Sequence, residues 1–230
     1  MQEGQGKNLL CLHGYMSHKT SFYYQIKFFS GCGFAVTAPD FPGFGSSAPI
    51  TEAWSVGDYA RWLKQFIVAS GIEDAHVIAH SFGARVALKL LSEESFHGRL
   101  IIVGGAGLVK PRSRAYMRRV KTYRMVKKFA PAFAEKHFGS REYRALSPVM
   151  RQSYKKIVNE DLSNCALRLH NKTLLVYGED DAVTPAEEEG RTFNKLIADS
   201  KLFIMRGDHF CFCRYPELFN AAALAFLTED

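Results

Sequence analysis

The chain has 230 residues, of which 47% are hydrophobic and 23% are charged, and its formal net charge is +7 at neutral pH. These values are ordinary for a globular domain, and the length favours a single domain with a substantial core. No apolar run approaches the ~20 residues that cross a bilayer, which excludes an integral membrane protein. We find no internal repeat and no low-complexity tract.

Cysteine usage and the first residues indicate a reducing compartment. The cysteines are odd in number and irregularly spaced: Cys11, Cys32, Cys165, Cys211 and Cys213. The opening residues, MQEGQGK, lack the basic segment and the apolar stretch of a secretion signal. We therefore expect a cytoplasmic protein with free thiols. Cys211 and Cys213 lie near His209, but no second ligand pair with metal-binding spacing accompanies them, so we predict no metal site.

Charge is unevenly distributed along the chain. Residues 110–172 contain 17 Lys and Arg against 4 acidic residues, a net charge of +13. The remainder contains 13 basic and 19 acidic residues, a net charge of −6. This asymmetry predicts a separate structural unit in the middle of the chain.

Short apolar runs alternate with amphipathic segments, which predicts strands alternating with helices. The predicted strands cover residues 8–12, 34–38, 76–79, 100–103, 173–177 and 202–205. The predicted helices cover about 22–29, 56–69, 84–91, 186–198 and 216–227, and Ser55 with Asp58 has the pattern of an N-cap. Strands that are apolar throughout are typical of a parallel sheet covered on both faces. The predicted fold class is therefore α/β, with a mostly parallel sheet of about six strands.

The segment 75–91 holds the candidate nucleophile. A strand that turns directly into a helix strains the residue at the corner, and the positions two before and two after must be small. Ser81 is at the predicted corner, and Ala79 and Gly83 occupy the two small positions. This arrangement resembles the nucleophile elbow of the α/β-hydrolase superfamily, although Ala79 stands where glycine is commoner.

A serine hydroxyl needs a base to accept its proton and an acid to orient that base, and in this superfamily the chain order is serine, acid, histidine. After the fifth predicted strand, residues 178–185 resemble the family's acid loop, Gly-x-x-Asp-x-x-(Val or Thr)-Pro. That register selects Asp181, with Asp180 and Glu179 as the fallback candidates. After the sixth predicted strand, Gly-Asp-His-Phe resembles the family's Gly-x-His-x loop and selects His209.

Two further loops match family motifs. The dipeptide His-Gly at 13–14 resembles the oxyanion loop, and the resemblance implies that the backbone N–H groups of Tyr15 and Phe82 bind the oxyanion. Residues 40–47 resemble a family loop whose role is largely structural. His80, beside the predicted nucleophile, is also usually structural in this family.

The middle of the chain occupies the place where the superfamily carries its lid. We predict a hydrolase core made of residues 1–107 and 171–230, with residues 108–170 forming a helical, basic lid. No nucleic-acid-binding motif accompanies the positive charge, so we expect no nucleic acid partner. We interpret the charge as a solvated helix face; selection of anionic substrates is the alternative.

Two amphipathic helices are predicted within this lid. Tyr116, Val120 and Tyr123 share one side of the first helix, which we expect to dock on the core. Ser147, followed by proline, is typical of the N-cap of a second helix that runs to about residue 158.

The motifs occur in family order, each after a predicted strand. The resemblance implies a serine hydrolase with a Ser81–Asp181–His209 triad and no cofactor, and a carboxylic ester of small size is the preferred substrate. Hydrolysis of a C–C bond or of an amide, as in a peptidase, is the alternative on the same triad. From a different class, the chain could be a slow-turnover ligand-sensing protein on a hydrolase fold.

Overall fold

The computed structural model describes residues 1–94, 96–109, 118, 121–122, 125, 128–129 and 141–229. Its centre is a sheet with the strand order β1-β3-β2-β4-β5-β6-β7, parallel except for β1. The strands are β1 Gln2–Glu3, β2 Lys7–Leu12, β3 Phe34–Thr37, β4 His76–His80, β5 Leu100–Val103, β6 Thr173–Gly178 and β7 Ser200–Met205. The predicted α/β class and all six predicted strands are confirmed. The short antiparallel β1 is an additional edge strand.

Helices connect the strands. Among the described residues they are α1 Tyr23–Gly31, α2 Val56–Ser70, α3 Phe82–Leu91, α4 Arg141–Ala145, α5 Pro148–Asn159, α6 Ser163–Leu167, α7 Arg191–Leu196, α8 Cys211–Arg214 and α9 Pro216–Thr228. The predicted cap of α2 is confirmed, because Ser55 and Asp58 form a reciprocal capping box. The helix predicted from residue 186 opens with a π-helical turn, Ala186–Gly190, and ends at Leu196. It ends early because Ile197 is extended and buried, and β7 then begins at Ser200.

The sheet separates two hydrophobic clusters. Leu10 and Leu12 of β2 face the cluster beneath α2 and α3, whereas Leu9 and Cys11 face the cluster beneath α1 and α9. Successive side chains of a strand point to opposite faces, so a strand covered on both faces must be apolar at every position. This is why the parallel strands appear in the sequence as continuous apolar runs.

The sheet topology sets where the loops meet. The chain adds β3 on one side of β2 and then crosses to place β4 on the other side. Ligand sites of open α/β sheets lie at such a switch point, outside the carboxyl ends of the strands. Leu12 of β2 pairs with Ala79 of β4, and Val103 of β5 pairs with Val176 of β6. The loops after these four strands therefore leave the sheet along one edge.

Helix α5 attaches the described part of the middle segment to the core. Met150 and Ile157 are buried in the cluster beneath α2 and α3. The buried Arg85 of α3 donates from Nη1 to the carbonyl oxygens of Ile157 at 3.0 Å and Glu160 at 3.1 Å. Ser147 caps α5 as predicted, accepting from the Met150 N–H at 3.2 Å. This helix therefore docks through both apolar packing and hydrogen bonds.

The first predicted lid helix, containing Tyr116, Val120 and Tyr123, lies outside the described residues. The lid boundaries at 108 and 170 stay predictions. In the part of the chain that the structure describes, no helix is both long and apolar enough to span a bilayer.

Asp40 organises the loop after β3. Its carboxylate accepts from the Lys19 backbone N–H and ammonium, both at 2.6 Å, and from the Ser46 N–H at 2.9 Å and hydroxyl at 2.8 Å. Burial alone would raise the pKa of Asp40, but these bonds outweigh it and hold the pKa well below its usual range. The loop is thus tied to the segment that follows the His-Gly dipeptide.

This low pKa has a consequence for stability. A carboxyl group with a depressed folded-state pKa stabilises the fold above its unfolded-state pKa of about 3.9, and loses that contribution as pH falls through the folded-state value. We expect Asp40→Asn to lower the free energy of unfolding at pH 7, with the deficit relative to wild type shrinking as pH falls below about 4. Urea unfolding between pH 7 and pH 3 measures the free-energy deficit at neutral pH and its change with pH. Asp199→Asn, at an exposed position, is the control. A deficit that does not change with pH would contradict this account.

Candidate active site

Ser81 is at a strained corner between β4 and α3. Its backbone angles are φ 50° and ψ −103°, a region that residues other than glycine rarely adopt. Its N–H donates to the Val103 carbonyl at 3.0 Å, which fixes the corner against β5. A Cβ on Gly83 would lie 2.3 Å from the Leu12 carbonyl oxygen, and Ala79 is fully buried. Close backbone packing therefore explains why both flanking positions are small.

Asp181 and His209 are brought together from the loops after β6 and β7. His209 Nδ1 lies 2.7 Å from Asp181 Oδ2, and the aspartate side chain is fully buried. The two fallback candidates, Asp180 and Glu179, are both exposed. Burial opposes ionisation of Asp181, but the bonds it accepts from His209 and Thr184 outweigh that effect and lower its pKa. A buried, ionised aspartate thus faces the histidine.

The acid loop supplies further donors to Asp181. The N–H groups of Val183 and Thr184 donate to Oδ1 at 2.8 and 2.9 Å. The Thr184 hydroxyl donates to Oδ2 at 2.8 Å and lies 3.2 Å from His209 Nδ1. The family motif accepts valine or threonine at this position, so the sequence alone indicates no role for the Thr184 hydroxyl.

His80 lies against His209 from the strand side. Its Nε2 donates to the His209 carbonyl oxygen at 3.0 Å, and the two ring centroids are 4.7 Å apart. Burial, together with the neighbouring His209, lowers the pKa of His80 to about 3, so the ring is neutral in ordinary buffers. His80 thereby holds the backbone of the residue that carries the candidate base.

Gly104, directly after β5, lies against the Asp–His pair. A Cβ at this position would be 2.9 Å from His209 Nδ1 and 3.4 Å from Asp181 Oδ2. Its φ of +51° also favours glycine. No motif in the sequence points to this position; the structure shows that the space beside it is filled by the Asp–His pair, so that no side chain fits there.

We expect Gly104→Ala to lower kcat by at least about tenfold, because the added methyl group displaces His209 from its position on Asp181. Gly71→Ala is the matched control. Gly71 also has a positive φ, +64°, but a Cβ there meets no atom within 4 Å. Both variants carry similar backbone strain, so the thermal melt of Gly71→Ala measures that part of the loss in stability, while only Gly104→Ala adds the clash with His209 and loses activity. Equal activity in the two variants would mean that the close approach of Gly104 has no catalytic consequence.

The His-Gly loop after β2 is fixed by side-chain and backbone bonds. His13 Nε2 accepts from the Phe41 N–H at 3.0 Å, so the neutral ring carries its proton on Nδ1 and donates to the Gly14 carbonyl at 2.7 Å. The Ser17 N–H also donates to that carbonyl, at 3.2 Å. Because the N–H of a trans peptide points opposite to its carbonyl, the Tyr15 N–H is directed to the other side of the loop.

The loop also lies close to the elbow. A Cβ on Gly14 would be 3.6 Å from Ser81 Cβ, an ordinary contact, but only 2.8 Å from His80 Nδ1, so the buried His80 ring leaves room only for glycine beside the predicted nucleophile. The Tyr15 ring packs edge-on against Phe82 with centroids 5.4 Å apart, and its hydroxyl donates to the Met150 carbonyl at 2.8 Å. The predicted oxyanion residues are therefore neighbours, and one of them is bonded to α5.

Within the described residues, the Ser81 hydroxyl makes no hydrogen bond to the His209 ring. The serine follows β4, the aspartate follows β6, and Gly104, directly after the intervening β5, lies against the histidine. Catalytic hydrogen bonds are often long in ligand-free enzymes and shorten only when substrate binds. The structure thus brings the acid and the base into direct contact, whereas the serine follows a strand that β5 separates from the acid strand.

Comparison with known proteins shows the family. Residues 9–222 match the alpha/beta hydrolase family, and the chain belongs to it. Solved structures agree in fold: a bromoperoxidase from Bacillus anthracis has a TM-score of 0.82 and an esterase from Exiguobacterium antarcticum has a TM-score of 0.80. Each is 20% identical, and each alignment covers 100% of this chain and 94% of the other.

A curated relative is the 2-hydroxy-6-oxononadienedioate/2-hydroxy-6-oxononatrienedioate hydrolase of Paraburkholderia phymatum. It is 36% identical over 108 residues, which are 44% of this chain and 38% of that protein. The chain therefore matches well under half of the length of this relative.

Proposed function

We propose that the chain is a serine hydrolase in which Ser81 is the nucleophile, His209 the general base and Asp181 the acid that orients His209. The observation that supports this most directly is the 2.7 Å bond between His209 Nδ1 and the buried Asp181 carboxylate. With the proton held on Nδ1, the lone pair on Nε2 is available to accept the proton of a serine hydroxyl.

The proposed reaction uses groups of this chain and one water molecule. Ser81 Oγ attacks the acyl carbon as its proton passes to His209 Nε2, and Asp181 stabilises the imidazolium. The N–H groups of Tyr15 and Phe82 bind the oxyanion of the tetrahedral intermediate. His209 returns the proton to the leaving alcohol, and the acyl-enzyme on Ser81 is then hydrolysed by water.

We propose a carboxylic ester with an apolar group as the substrate. A largely apolar cavity of about 590 Å³ borders the loop that follows Tyr15. Ser81, Asp181 and His209 are not among the residues that line it; it adjoins the site through Met150, whose carbonyl accepts from the Tyr15 hydroxyl. Its walls include Met16, Phe44 and Ile50, together with Leu146 and Met150 from the middle segment. Such a cavity favours an aliphatic or aromatic substituent over a charged one.

A chain-length series of p-nitrophenyl esters on the purified protein tests this proposal. We expect an initial burst of nitrophenol equal to the enzyme concentration, and a kcat/KM that rises from acetate to medium-length chains. A burst without steady turnover would indicate the ligand-sensing alternative. The absence of both would contradict a serine esterase.

Hydrolysis of a C–C bond is the second candidate, because the relative from P. phymatum is a hydrolase of 2-hydroxy-6-oxo acids. The same serine, histidine and aspartate would serve both reactions, so substrate preference has to be measured. We would compare kcat/KM for a 2-hydroxy-6-oxo dienoate with that for the preferred ester. A ratio above about a hundredfold in favour of the dienoate would replace the ester assignment.

A further inference from the structure

Thr184 occupies an unusual position in the candidate site. Its hydroxyl lies between the two groups of the Asp–His pair, 2.8 Å from Asp181 Oδ2 and 3.2 Å from His209 Nδ1. Thr184 is buried, with 4% of its surface exposed, so the hydroxyl has no bulk water to bind instead. The loop motif accepts either valine or threonine at this position. Because threonine is present here, a hydroxyl group contacts the acid where valine would present only a methyl group.

The Thr184 hydroxyl can donate one hydrogen bond, and its two neighbours, Asp181 Oδ2 and His209 Nδ1, determine which of them accepts it. Asp181 is an ionised carboxylate and only accepts, so the Thr184 proton is donated to Oδ2. The oxygen then presents lone pairs to His209 Nδ1. Nδ1 must consequently carry its own proton, in agreement with its bond to Asp181.

The hydroxyl is not needed to hold the carboxylate in place. Asp181 Oδ1 already accepts two backbone N–H groups, those of Val183 and Thr184, at 2.8 and 2.9 Å. These two bonds fix the plane of the carboxylate, because both donors belong to its own tight loop. The hydroxyl instead shares Oδ2 with the His209 Nδ1–H, so the two donors compete for the same oxygen.

We propose that Thr184 is a positioning residue that acts through Asp181 and weakens the hold of that carboxylate on protonated His209. A hydrogen bond to a carboxylate stabilises its charge and so reduces the attraction it exerts on a neighbouring cation. Thr184 Oγ1 also faces the Nδ1–H, but at 3.2 Å it is a weaker acceptor than Oδ2 at 2.7 Å. We therefore expect the reduced charge on Oδ2 to decide the direction, so that the hydroxyl makes the imidazolium form of His209 less favoured. This inference rests on the proposed roles of His209 and Asp181.

Other titratable groups around the pair do not supply this effect. Burial raises the pKa of Cys211 to about 12 and the pKa of Tyr177 well above its ordinary value, so both stay neutral. His80 is neutral above about pH 4, given its pKa of about 3. Asp208 accepts from the Phe210 N–H at 3.0 Å and pairs with Arg214 at 2.9 Å, away from the ring.

The test is the pH profile of kcat/KM in Thr184→Val and Thr184→Ser. Valine has the shape of threonine without its hydroxyl, so it opens no cavity for water, whereas serine keeps the hydroxyl. We expect the acid limb of Thr184→Val to move to higher pH by about half a unit, an approximately threefold loss on that limb, with KM unchanged. Thr184→Ser should keep the wild-type limb. A limb that stays in place or moves to lower pH in Thr184→Val would overturn the proposal.

A measurement without substrate separates this inference from the proposed function. The Nδ1–H proton of a histidine bonded to a carboxylate gives a far-downfield NMR signal, which His209→Asn would identify. We expect Thr184→Val to move this signal further downfield and Thr184→Ser to leave it in place. An unmoved signal in Thr184→Val would refute the role of Thr184 even if ester hydrolysis were confirmed. If the signal moves in a protein that has no hydrolase activity, the positioning role of Thr184 is supported and the proposed function is rejected. If Thr184→Val fails to fold, Thr184→Ala replaces it, and the acid limb of its pH profile and its Nδ1–H signal are judged in the same way.

Discussion

Ser81→Ala is expected to lower kcat for ester hydrolysis by at least about 10⁴-fold while the protein stays folded. The hydroxyl is the only group removed, and alanine keeps the Cβ, so the strain at φ 50° is unchanged. The corner is held by backbone contacts, including the Ser81 N–H bond to Val103 at 3.0 Å, which the substitution does not touch. Kinetics with the preferred ester and a thermal melt measure the two parts of this expectation.

The matched control is Ser70→Ala, at an exposed position in the last turn of α2. It should keep full activity and nearly the same melting temperature. If Ser81→Ala retained more than about one hundredth of the wild-type kcat, another nucleophile would be required.

Asp181→Asn is the second change with a large expected effect, a loss in kcat of about 10³–10⁴-fold. The structure gives a specific reason. The N–H groups of Val183 and Thr184 donate to Oδ1, so the asparagine carbonyl must take that position. The amide NH₂ then occupies the place of Oδ2 and donates to His209 Nδ1. His209 is driven to the tautomer with its proton on Nε2, which cannot accept a proton from serine.

Asp180→Asn is the control for the acid loop. Asp180 is exposed, and within the described residues its backbone N–H donates to the Gly207 carbonyl oxygen at 3.0 Å. Its substitution should change kcat by less than about threefold. A severe loss at Asp180 with a mild loss at Asp181 would reverse the assignment of the acid.

The strands and the motif residues could be predicted because both depend on local sequence. A strand covered on both faces requires an unbroken apolar run, and the elbow requires small residues on both sides of Ser81. The acid loop combines glycine, aspartate and proline at fixed spacing, which places Asp181 even without knowledge of its partner. β1 was missed because two residues, Gln2 and Glu3, carry no periodicity, and their pairing with β3 is a tertiary contact.

The features that sequence reasoning missed depend on contacts between distant segments. β5 lies beside β6, which brings the backbone of Gly104 against His209, 105 positions further along the chain. This contact requires glycine at position 104. The direction of the Thr184 hydroxyl follows from a loop conformation that no residue pattern specifies. The attachment of α5 by Arg85 likewise joins α3 to a segment about 70 residues away.

Labelling with a fluorophosphonate probe, followed by mass spectrometry of the labelled peptide, tests the central proposal most directly. The probe forms a covalent bond only with a serine activated by a neighbouring base, and it needs no knowledge of the natural substrate. We predict one phosphonate per chain, attached at Ser81, with no labelling of Ser81→Ala and greatly slowed labelling of Asp181→Asn. Labelling at another residue, or labelling that persists in Ser81→Ala, would contradict the assignment of Ser81 as the nucleophile.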